Sequence, residues 1–183
     1  MNFLASKAQL RASFARWSLF MVPLIVLLGF LGGQLGSPDT VWFQSLAKPA
    51  IFPPPAAFGI VWTILYVMIG LSVALVASAW GAHGRGIAII AFAIHFVGNL
   101  AWTFAFFGMQ NMTAGLGILI FTTLTLLVVL WLFWRVRRLA AIVLLPYLAW
   151  VAFASVLNWQ FLVENPNGGA TGGEAGAVER VEF

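Results

Sequence analysis

Four stretches of this sequence contain no Asp, Glu, Lys or Arg: 17–38, 49–84, 86–134 and 139–163, running to 22, 36, 49 and 25 residues. A helix needs roughly 20 apolar residues to cross a bilayer core, and hydrocarbon tolerates a chain only where its backbone groups pair within the segment. The 49-residue stretch therefore holds two such helices and each of the others holds one. With 8% charged residues and a mean hydropathy of +1.00, a soluble globule is excluded. The expected fold is all-α, an integral membrane bundle of five transmembrane helices at about 17–35, 58–79, 86–107, 112–134 and 139–162.

The turn-forming cluster GMQNMTAG (108–115) makes spans three and four a tight hairpin. Asn111-Met-Thr113 in that turn matches a glycosylation sequon, at a position with little room for a glycan. Arg135, Arg137 and Arg138 make the next connection equally short. Loop 36–57 is different: it holds Pro38, Pro49, Pro53, Pro54 and Pro55 together with Trp42, Phe43, Leu46, Ile51 and Phe52. Long loops in compact domains are usually functional or disordered, and these apolar side chains predict one that packs on something. Residues 1–16 read as a basic extension, and 163–183 as a Gly-rich, Ala-rich, acidic and disordered tail.

Five spans place Lys7, Arg11, Arg16, Arg85, Arg135, Arg137 and Arg138 on one side, against Lys48 and Arg180 on the other. The positive-inside rule then predicts a cytoplasmic N-terminus, with the proline-rich loop, the C-terminus and all five acidic residues outside. Because the basic residues sit at span ends, topology accounts for the high pI and nucleic acid is not an expected partner. The basic extension and first apolar run also suit a signal peptide, although no small-x-small cleavage site follows. The absence of cysteine excludes disulfides and thiolate chemistry.

Ion-coupled pumps use ionisable groups within the bilayer, and His95 is the only one here; His83, in GAHGRG, reads as solvated. Paired acid and base groups or clustered metal ligands are also lacking within the spans. Any chemistry would come from aromatic side chains or a bound molecule. His95, Asn99, Trp102 and Phe106 recur on one helical face, as do Trp150, Ala154 and Asn158, and Trp62 and Tyr66. For His95 and Asn99 the choice lies between interhelical hydrogen-bond glue and a site. Trp17, Trp80, Trp131 and Trp134 fit an interfacial belt, whereas Trp62, Trp102 and Trp150 point inward with other aromatic or polar groups. The pairs Gly29/Gly33, Gly32/Gly36 and Ala101/Ala105 serve either packing within one chain or a dimer face. Pro146 must interrupt the fifth helix.

Trp42 together with KPAIFPPPAAFGIVWTILY (48–66), NLAWTFAFF (99–107) and LLPYLAWVAFASVLN (144–158) resembles the TspO/MBR family of translocator proteins, in order and spacing. The resemblance implies a five-helix bundle, commonly dimeric, in a bacterial inner membrane. Its pocket would lie under the first loop and bind porphyrin, haem or other lipophilic molecules, with no cofactor required. It also implies tetrapyrrole transport or regulation; the alternatives are light- and oxygen-dependent porphyrin degradation and an assembly role. By position, the ligand-binding residues would be Trp62, Tyr66, Asn99, Trp102, Trp150, Ala154 and Asn158, with Phe43, Pro53 and Phe58 from the loop and its junction. Lys48 at the mouth would pair with a propionate. Phe43 replaces a tyrosine frequent in the family, and Ala56 a tryptophan, which predicts a wider mouth. The fifth span ends in VLNWQFLVEN without the basic residue of the proposed cholesterol pattern.

The physical expectation for the loop is that of a lid. Prolines reduce its freedom, so closing it over a pocket costs less entropy, while Trp62 and Tyr66 offer flat faces to a planar macrocycle.

Overall fold

A computed structural model describes residues 6–168; most of the expected tail lies outside the described residues. Within them the chain is helical and contains five helices long and apolar enough to cross a membrane.

Helix α1 (Lys7–Gly33) starts well before the span expected at Trp17. Ser6 and Gln9 form a reciprocal capping box: Gln9 N–H donates to Ser6 Oγ at 3.2 Å and Ser6 N–H to Gln9 Oε1 at 2.8 Å. From Lys7 onward the basic extension is thus the opening of the helix itself. The S-x-x-Q signature was present in the sequence, but counting charge-free residues cannot register it.

The proline-rich loop packs, as its apolar content predicts. It contains a short helix α2 (Val41–Ser45), capped by Thr40, whose Phe43 is buried with Leu46 against Phe106, Met112, Leu157 and Phe161. Asn165 holds its far end, accepting from Ala47 N–H at 2.7 Å and donating to the Ala47 carbonyl at 3.0 Å. Helix α3 (Pro55–Ala77) begins inside the segment expected to be loop, because proline at the first helical position loses no hydrogen bond and has its φ already set.

Helix α4 (Arg85–Thr103) starts after Gly84, whose φ of +79° suits glycine. It runs into a π-helical turn, Phe104–Gly108, so the expected stripe is kept: Phe106 is buried and stacks on Trp102 at 5.2 Å. Asn111 caps α5 (Met112–Val136), its Oδ1 accepting from Ala114 N–H at 2.9 Å. The fifth span divides into α6 (Arg138–Val143) and α7 (Leu145–Glu164). The break falls at Leu144, just before Pro146, as the missing proline N–H requires.

Gly29 and Gly32 of α1, and Gly36 just beyond it, serve packing within the chain. A Cβ on Gly29 would lie 2.3 Å from the Tyr66 ring, one on Gly32 2.7 Å from Leu100, and one on Gly36 2.6 Å from Phe107. Gly33 meets nothing within 4 Å. From α3, Gly70 lets α1 approach until a Cβ would be 2.7 Å from Val22 Cα.

Arg85, Arg135, Arg137 and Arg138 collect at one end. Arg85 donates to the Ala77 carbonyl at 2.9 Å and lies 4.3 Å over Trp80; Arg135 and Arg138 cover Trp131 and Trp134. Trp80, Trp131 and Trp134 are exposed, as an interfacial belt requires. The proline-rich loop and the 108–111 turn close the opposite end, and there the aromatic stripes converge.

Candidate ligand pocket

Two adjoining cavities lie beneath the loop. The inner one, of about 40 Å³, is enclosed by Phe58 and Trp62 of α3, Asn99 and Trp102 of α4, Leu119 and Thr122 of α5, and Trp150, Val151, Ala154 and Leu157 of α7. The outer one, of about 540 Å³, reaches the loop and the end of α1, bordered by Gly33, Gly36, Phe43, Lys48, Phe52, Pro55 and Phe107 among others. Phe58, Trp62 and Trp102 border both, so the cavities share one aromatic wall. The outer volume falls within the roughly 300–1,000 Å³ of small-molecule sites, and its apolar lining with few polar groups is typical of them.

Helical spacing builds that wall. Trp62 stacks on Tyr66 one turn below (5.2 Å, 26°) and meets Trp150 edge-on (6.4 Å, 89°). Trp150 in turn packs edge-on against Phe58. The small side chain of Ala154, one turn from Trp150, leaves room beside the indole. Trp62, Asn99, Trp102, Trp150, Ala154 and Phe58 thus come together as the sequence stripes imply.

The other candidates are placed differently. Tyr66 lies behind Trp62, against Gly29 and Phe96, bordering neither cavity. Asn158 is engaged at both ends of its amide: its Oδ1 accepts from Trp102 Nε1–H at 3.2 Å and its Nδ2 donates to the Met112 carbonyl at 2.8 Å. It fixes the Trp102 indole from behind. Pro53 is half-buried off both cavities, and Pro55 lines the mouth in its stead. Phe43 packs edge-on against Phe107 at 5.0 Å. Lys48 borders the mouth, but its ammonium donates to the Phe43 and Leu46 carbonyls and sits 4.1 Å over the Phe43 ring. Desolvation there lowers its pKa below the ordinary lysine value.

Sequence spacing missed Thr122, Leu119, Val151 and Leu157 on the inner walls. It also missed Tyr147, fully buried, whose hydroxyl donates to Asn99 Oδ1 at 2.9 Å. Tyr147, Trp150, Val151 and Ala154 do lie on one helical face, the signal that marks these α7 positions; on α5, threonines recur too often for one to stand out. Among the described residues, no three His, Asp or Glu side chains gather as metal ligands.

Residues 21–163 match the model of the TspO/MBR family. The chain belongs to the TspO/MBR family. It is 36% identical over 147 residues to the tryptophan-rich protein TspO of Chlorobaculum tepidum, covering 79% of this chain and 93% of that one. A tryptophan-rich sensory protein of Cereibacter sphaeroides is 32% identical over 82% of this chain and 94% of its own. The translocator protein of Bos taurus is 32% identical over 76% and 86%. Family membership and the five apolar helices make this an integral membrane protein. The family match takes in the proline-rich loop and both cavities.

Proposed function

We propose that this membrane protein binds porphyrin or haem, and related planar lipophilic molecules, in the cavities beneath the proline-rich loop, and that binding serves tetrapyrrole transport or regulation. The observation that carries the reading is the wall of Phe58, Trp62 and Trp102 shared by both cavities. Aromatic faces favour a flat macrocycle through offset and edge contacts, and an apolar cavity roofed by a packed loop removes it from water. The outer cavity takes the ring; the inner one takes a substituent. Lys48 meets a propionate by exchanging one loop carbonyl for it.

The charge distribution supports a cytoplasmic N-terminus and an outward-facing loop, and the likeness to bacterial TspO proteins supports a bacterial inner membrane as the site of action. A homodimer is also proposed, as the family resemblance implies.

The test is a titration in the dark of the detergent-purified protein with protoporphyrin IX, following tryptophan emission. Saturable quenching near one porphyrin per chain is expected; non-saturating quenching would contradict the reading. Three indoles around the inner cavity also favour a second reading, porphyrin-sensitised oxidation, in which the bound ligand supplies the chemistry. Illumination should then consume porphyrin in air and stop under anaerobic conditions, as read by loss of its visible absorption.

A further inference from the structure

The inner cavity has two polar groups with no partner: Asn99 Nδ2 and Thr122 Oγ1, both on residues more than nine-tenths buried. Buried polar groups are nearly always paired, so two unmet groups in one cavity ask for a ligand that would meet them. The answer begins one helical turn away, at a side chain that borders neither cavity.

We propose that His95 is a positioning residue that holds the Asn99 carboxamide with its N–H groups toward the inner cavity, so that the cavity selects ligands bearing a hydrogen-bond acceptor: a carbonyl, an imine nitrogen or a carboxylate. The proposal deepens the ligand-binding reading above and rests on it.

Counting protons leads there. His95 is fully buried, with Nδ1 3.1 Å from Thr125 Oγ1 and Nε2 3.0 Å from Tyr147 Oη. A phenol has one proton, and Tyr147 gives it to Asn99 Oδ1 at 2.9 Å. The Tyr147 oxygen is left to accept, so Nε2 must carry hydrogen and donate. In the neutral imidazole Nδ1 then accepts from Thr125. The Thr125 hydroxyl, which also lies 2.9 and 3.1 Å from the Phe121 and Thr122 carbonyls, turns its one proton to Nδ1 in this arrangement. A doubly protonated ring would also donate to Tyr147, so the amide points the same way in either charge state.

Asn99 Oδ1 is thereby held on the Tyr147 hydroxyl and Nδ2 turns to the cavity, beside the Thr122 hydroxyl. If Nε2–H is removed, the Tyr147 oxygen is free to accept from Nδ2; the amide can turn over, and Oδ1 then faces the ligand. His95 breaks the tie between a donor and an acceptor face.

The test uses the full-length protein in detergent and two probes with the same pair of rings, benzophenone and diphenylmethane, which differ by one carbonyl acceptor. Each is titrated by calorimetry, and protoporphyrin IX separately by quenching. The wild type should bind benzophenone about fivefold more tightly, the range of one net hydrogen bond. His95→Leu should bring the ratio to within about twofold with diphenylmethane affinity unchanged. His95→Gln, whose amide nitrogen can replace Nε2 as the donor to Tyr147, should restore it. Should His95→Leu fail to fold, Tyr147→Phe breaks the relay at its next link with the ring retained, and predicts the same collapse.

A wild-type ratio that persists in His95→Leu or Tyr147→Phe overturns the proposal. So does a parallel loss for both probes, which would mean packing alone, or the absence of saturable binding of either probe to the wild type. A ratio that responds to His95 in a protein that does not bind protoporphyrin IX removes the porphyrin reading and leaves this proposal standing.

Discussion

Replacing Trp62 and Trp150 together with alanine will weaken protoporphyrin IX binding by about two orders of magnitude. Trp62 borders both cavities and Trp150 the inner one, and the two meet edge-on, so each fixes the other's orientation. A base stacked on an aromatic side chain contributes roughly 1–3 kcal/mol, and a buried tryptophan anchor typically costs about 2 kcal/mol or more when truncated. The pair should therefore account for about 3 kcal/mol, taken at the lower end because the Phe58 and Trp102 faces remain. The dissociation constant from quenching of the remaining tryptophans reads this directly. Trp131→Ala and Trp134→Ala, at the basic end under Arg135 and Arg138, should leave it within about twofold. Equal losses in the two sets would show that porphyrin reports detergent or lipid contact instead of the pocket.

Gly70→Val is the substitution with the largest expected cost in stability. Its Cβ would lie 2.7 Å from Val22 Cα and 3.1 Å from Val22 N. Those are backbone atoms, so no rotamer change relieves the clash and α1 must move away from α3. Overpacking of this kind costs typically 1–3 kcal/mol, and separating two helices adds lost contact along the seam. An apparent unfolding midpoint lower by about 6–12 °C in detergent corresponds to about 3 kcal/mol for a chain of this size. Gly59→Ala, on the same helix with nothing within 4 Å of the new atom, should stay within about 1 kcal/mol of wild type. If Gly70→Val melts like Gly59→Ala, α1 and α3 are not packed as described.

The span count was legible because hydrocarbon leaves a chain almost no choice: charge-free length decides how many helices cross. Pro146 announced its own break for an equally local reason. The inward face of α3 and α4 was legible too, since Trp62, Asn99 and Trp102 keep helical register whatever they touch. What register cannot show is which partner, far along the chain, takes up a side chain's hydrogen bonds. Asn158 shares the pocket-facing stripe with Trp150, yet the Trp102 indole and the Met112 carbonyl consume its amide. Tyr66 follows Trp62 by one turn and supports it from behind, because the space beside it belongs to Gly29. Lys48 reads as a free cation until the carbonyls of Phe43 and Leu46 are seen around it. His95 hid its role in the same way, its partners Thr125 and Tyr147 lying on two other helices.

An experimental structure of the protein with protoporphyrin IX bound would test the central claim most directly. The macrocycle should lie beneath loop 36–57, in contact with Phe58, Trp62 and Trp102, with a substituent directed toward Asn99. A macrocycle seated on the lipid-facing surface of α4 or α5, with both cavities empty, would contradict the account.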